Sequence, residues 1–194
     1  MKIAKPTVAP VADTDIKADL GLFIQQPGPE LRAVCQGCKQ HSPAQCSPKC
    51  KEAPGALSID PVLYPIERNV VPFVYELAAT RLLETCWSCE GHMNENNELW
   101  KVPQISFYAA SPVYVKLLSL YLDELQNTKS TTYHWHIVVT DFAQSNGLTY
   151  SVQPDLNLVK DPHLGLLQTD LKTIADGLHT KLKWHAQKML NNIK

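Results

Sequence analysis

All six cysteines of this chain fall between residues 35 and 89, in two blocks whose spacing suits a metal ion better than disulfide bridges. The first block is Cys35-x-x-Cys38 followed by Cys46-x-x-x-Cys50. The second is Cys86-Trp87-Ser88-Cys89-Glu90-Gly91-His92. A thiolate-bound ion ties separate segments to one geometry and adds folding free energy that no apolar core has to supply. Residues 31–65 need such help, because Pro43, Pro48, Pro54, Pro61 and Pro65 interrupt any regular element there. A structureless loop of that length inside a domain is unusual unless something holds it.

The metal reading depends on reduced thiols. Near the N-terminus, Lys2, Lys5, Asp13, Asp15, Lys17 and Asp19 break up any apolar run of the kind a signal peptide requires. No stretch approaches the ~20 apolar residues of a membrane span. The expectation is a cytoplasmic protein without a membrane partner, in a compartment that keeps cysteine free for metal. With 18 basic and 19 acidic residues the net charge is −1, a poor match for nucleic acid.

The chain divides into three parts. Residues 1–30 read as a flexible N-terminal arm, because Pro6, Pro10, Pro27, Gly28 and Pro29 break any helix and the apolar residues show no sustained period. Residues 31–68 read as a Cys-rich zinc-binding loop region, and residues 69–194 as an α/β domain ending in a long helix. Within that domain Val70, Val74, Leu77, Ala78 and Leu82 have helical spacing over 70–84. Residues 104–109 alternate as a strand. Ser111-Pro112 is an N-cap followed by a first-turn proline, opening a helix to about residue 126 with Tyr114, Leu117, Leu118, Tyr121 and Leu125 inward. Residues 132–140 and 148–153 read as strands joined through an Asn146-Gly147 turn. Leu167, Leu171, Ile174, Leu178, Leu182, His185 and Met189 then mark one long C-terminal helix. The fold class is therefore α/β, bordering on α+β. A small mixed sheet of about three strands is covered by helices in the order α-β-α-β-β-α, and its strand–helix–strand unit pairs in parallel.

Four thiolates from Cys35, Cys38, Cys46 and Cys50 would close a tetrahedral structural zinc site, with His41 as a substitute ligand. An iron–sulfur cluster suits this spacing less well, since the gap from Cys38 to Cys46 departs from the compact ferredoxin run. The second block offers Cys86, Cys89 and His92. Three ligands and a vacancy are the pattern of a catalytic zinc, with Glu90 as general base beside bound water. Cys86 and Cys89 also suit a split ribbon with Cys35 and Cys38, or a thiol redox pair. On strand 132–140, His134 and His136 share one face. They are candidates to stabilise charge or complete a metal shell, with Asp141 as an orienting partner. The alternative for that face is plain solvent contact.

Lys172, Lys181, Lys183 and Lys188, with His179 and His185, give the last helix a basic surface. This suits a solvated face, and the exposed part of its apolar stripe offers a homodimer contact. The functional expectation is a zinc-binding protein, carrying one or two ions, that engages a protein partner or a small molecule. A zinc-dependent hydrolase is the first alternative and a thiol redox protein the second. No His-Glu-x-x-His, phosphate-binding glycine loop or serine nucleophile elbow is present.

Overall fold

The computed structural model describes residues 13–26, 66–140 and 148–193. The described residues form helix α1 (Asp13–Gln25), helix α2 (Val71–Ala79), strands β1 (Leu83–Cys89), β2 (His92–Met93), β3 (Leu99–Lys101) and β4 (Gln104–Ala109), helix α3 (Pro112–Asn127), strands β5 (His134–Thr140) and β6 (Thr149–Asp155), and helices α4 (Leu164–Ala175) and α5 (Leu178–Asn192). Cys35, Cys38, Cys46 and Cys50, along with His41, Asp141 and the Asn146-Gly147 turn, lie outside the described residues.

The mixed α/β character holds, but the sheet differs from expectation. Four strands, not about three, pair in the order β1-β4-β6-β5, and a separate two-stranded sheet joins β2 to β3. Every pairing in the four-stranded sheet is antiparallel. Strands β4 and β5, joined through α3, run in the same direction but are not neighbours, because β6 inserts between them. The hairpin partner thus takes the position that a direct parallel pairing would have filled.

Ser111 caps α3 as expected, its hydroxyl accepting from the Val113 N–H at 3.3 Å, with Pro112 following. All five residues assigned to its inner stripe are buried. Helix α2 is shorter than its apolar period suggests. The Thr80 hydroxyl donates to the Leu77 carbonyl at 2.6 Å, and Arg81 turns to φ 56°. The chain then enters β1, so Cys86 lies inside a strand and does not follow a helix end. The C-terminal helix is two helices. Gly177, at φ 72°, breaks the run between α4 and α5, a conformation glycine adopts without a Cβ penalty.

The stretch 1–30 does not read as a uniform arm, because α1 forms within it. Its Leu20 and Phe23 are wholly buried, with Ile16 and Ile24 packed beside them. The four residues lie at i, i+4, i+7 and i+8, one face of a helix. The prolines all fall outside this helix, so they bound it without breaking it. The core combines these residues with Phe73, Leu77, Ile105, Phe107, Leu117, Leu118, Tyr121, Leu167, Leu171 and Leu178.

Two features mark the edges of the four-stranded sheet. Asp170, on α4 and 2 % exposed, accepts from the Thr132 and Tyr133 amides at 2.8 and 2.9 Å and from the Trp135 indole at 3.1 Å. It clamps the start of β5 to α4. On the opposite edge, β1 carries an irregularity between Thr85 and Trp87, which places Cys86 at a bulge.

Candidate metal centre

Strand β1 ends at Cys89, and the chain reverses through Glu90 and Gly91 into β2. Gly91 has φ +84°, and a Cβ there would lie 2.7 Å from Leu164 Cδ1 and 2.8 Å from Pro103 Cδ. Only glycine fits so close a turn without displacing its neighbours. The turn brings His92 back beside Cys89. A third group arrives from the segment that enters α2: Glu67 Oε1 lies 2.8 Å from His92 Nε2. The ligand atoms of Glu67, Cys89 and His92 all lie within 4.8 Å of one another.

The backbone fixes Glu67. Its Oε2 accepts from the Glu90 amide at 2.6 Å, while Glu90 Oε2 accepts from the Asn69 amide at 2.7 Å. These reciprocal bonds lock the 67–69 segment to the 89–91 turn. The Gln168 side-chain amide donates to the Glu90 carbonyl at 3.1 Å, adding a tie to α4. Such supports behind the ligands fix their orientation.

Cys89 is buried, whereas the side chains of His92 and Glu67 are 37 % and 32 % exposed. Burial pushes the Cys89 thiol above its usual range. The Gly91 amide, bonded to Sγ at 3.4 Å, opposes that shift, the negative charge of Glu67 adds to it, and Lys101 offsets part of it. Without a cation, thiolate and carboxylate destabilise each other. A divalent ion reverses the sign, because each anion then faces a positive charge.

Among the sequence candidates, Cys89 and His92 come together, and Glu67 joins them. Cys86 is exposed on the strand and belongs to neither cluster of ligand atoms. Glu90 stands beside the cluster, its carboxylate engaged with Asn69. His134 and His136 occupy β5, at the far edge of the sheet. Three strand spacings separate β1 from β5, roughly 14 Å, so one ion does not take ligands from both edges. On β5 the two imidazoles meet a different carboxylate, Asp155, and the three ligand atoms lie within 4.8 Å of one another. Neither Glu67 nor Asp155 stands in a spacing motif with the residues it meets. The basic face assigned to the last helix is also narrower than expected, since His179 and His185 are buried. None of the described helices is long and apolar enough to cross a membrane.

No protein-family model, curated protein or solved structure matched this chain, so the chemistry of the site has to carry the functional reading.

Proposed function

We propose that this is a zinc-binding protein whose ion, held by Glu67, Cys89 and His92, pins the segment entering α2 to the β1–β2 turn. The convergence of one carboxylate, one thiol and one imidazole within 4.8 Å carries this reading. Oxygen, sulfur and nitrogen donors together suit borderline-soft zinc, and three of them leave a tetrahedral ion one position for water. The bound ion would present a fixed surface to a protein partner or a small molecule.

Two observations favour binding over the alternatives. The Glu90 carboxylate already takes the Asn69 amide at 2.7 Å, which suits a structural tie better than a general base in a zinc hydrolase. The thiols of Cys86 and Cys89 both titrate above their usual value, chiefly through burial, whereas redox-active cysteines need a depressed value.

Elemental analysis of tag-free protein tests the reading. Wild-type chain retains zinc through dialysis, and Cys89→Ser and His92→Ala each lose one equivalent relative to it. Equal zinc in the wild type and both variants would overturn the assignment.

A further inference from the structure

We propose that His134, His136 and Asp155 form a second metal site, independent of the first, which takes a first-row divalent cation and leaves coordination positions open to solvent or an oxygen-donor ligand. The sheet itself builds the site. His134 and His136 are two apart on edge strand β5 and so project from one face. The β5–β6 register sets Asp155 directly opposite His134 and Gln153 opposite His136. Directly opposed residues have Cβ atoms about 5 Å apart, within reach of one ion. The imidazole rings have centroids 6.2 Å apart and are inclined at 67°. The Asn157 amide donates to Asp155 Oδ1 at 3.1 Å, which helps to orient the carboxylate.

The donor atoms span at most 4.8 Å. Adjacent donors on a zinc-sized ion lie about 3 Å apart, given metal–nitrogen bonds of about 2.0–2.1 Å. Side-chain rotation closes that difference readily, because His134 is exposed and His136 and Asp155 are only half-buried. Strands fix the three Cα positions, and scaffold-borne ligands keep their geometry better than loop-borne ones.

Donor chemistry separates this site from the first. Two nitrogens and one oxygen, without sulfur, suit zinc, nickel, cobalt or ferrous iron, and imidazole disfavours magnesium and calcium. Two histidines and one carboxylate on a single face leave the opposite side of the ion free, the pattern of an open site. The edge position and exposure make the ion exchangeable. Cys89, His92 and Glu67 lie across the sheet, so either site can fill without the other.

Cobalt(II) titration of tag-free full-length protein, followed by optical absorption and equilibrium dialysis, tests this. His134→Ala/His136→Ala should bind one equivalent fewer than wild type yet keep the thiolate-to-cobalt charge-transfer band of the Cys89 site. Asp155→Asn should weaken that same equivalent by about 10-fold or more. Cys89→Ser should lose one thiolate-bound equivalent, with its share of the charge-transfer band, and retain the histidine equivalent. Wild-type stoichiometry and affinity in the double variant would overturn the proposal. So would loss of both binding classes in Cys89→Ser, or displacement of the histidine-bound cobalt by equimolar magnesium. Removing the exposed His134 imidazole opens no core cavity, so His134→Ala alone provides a folded control, and it too should lose the equivalent.

Discussion

Gly91 controls whether Cys89 and His92 can meet. Alanine there would combine a left-handed backbone with a Cβ pressed against Leu164 and Pro103. Left-handed strain and overpacking together cost about 2–5 kcal/mol, which urea denaturation of Gly91→Ala should register as a lower midpoint at unchanged slope. Cys89 makes a second prediction. Its raised thiol value means that the cation-free protein holds the proton at neutral pH, so zinc binding must release it. Calorimetry in buffers of different ionisation enthalpy should find proton release in the wild type and less in Cys89→Ser. Zinc affinity should therefore rise with pH until the thiol titrates. Cys89 and His92 were legible as candidate neighbours because they share a short motif. Glu67 was not, because it reaches them across 22 residues from a proline-bounded segment with no periodicity of its own.

Element positions follow from a few anchoring groups. Asp170 satisfies two backbone amides and an indole at the start of β5. Asp170→Ala orphans all three donors, and thermal or urea unfolding should show a loss of about 3–5 kcal/mol. Helix α5 docks on α3 through Glu124, which meets Lys181 Nζ at 2.6 Å and His185 Nε2 at 3.0 Å. The hydrogen bond from Lys181 holds the Glu124 carboxyl below its usual range, while burial lowers His185 against the pull of Glu124. Both shifts act in the same direction. A depressed carboxyl contributes stability above its unfolded value and loses it as pH falls through the folded one. A depressed histidine makes the unfolded chain bind more protons below its ordinary titration point, about 6.5, so stability falls there as well. Unfolding midpoints should therefore drop as pH moves from 7 toward 4, and His185→Gln should flatten the upper part of that drop. The helix α3 and strand β4 were readable because cap, proline and alternation agreed. The end of α2 was not, since Val70 to Leu82 keeps a helical period through Arg81, where the backbone turns left-handed. The hairpin register was equally hidden. A two-residue Asn146-Gly147 turn would have set His134 against Val159, whereas the pairing sets it against Asp155.

At the scale of the whole molecule, an antiparallel four-stranded sheet carries a candidate metal cluster on each edge strand, and five helices among the described residues complete the fold. Helix α1 belongs to the same core, since Phe23 stacks edge-on against Tyr114 at 6.3 Å and His179 at 5.7 Å. Phe23→Ala should cost about 3–5 kcal/mol and lower the midpoint of a single cooperative unfolding transition. Composition and periodicity were enough to expect mixed helices and strands. Sheet order was not, because β6 inserts between strands that the chain visits consecutively, and nothing local in the sequence encodes such an insertion.

In the proposed site Glu67 shares a cation with Cys89 and His92. Zinc affinity of Glu67→Gln, measured by competition with a chromogenic chelator, tests that point, because the amide keeps the shape of the side chain and removes its charge. The affinity should fall by at least about 10–100-fold relative to wild type, with the fold intact by circular dichroism. An unchanged affinity in the folded variant would contradict the shared site.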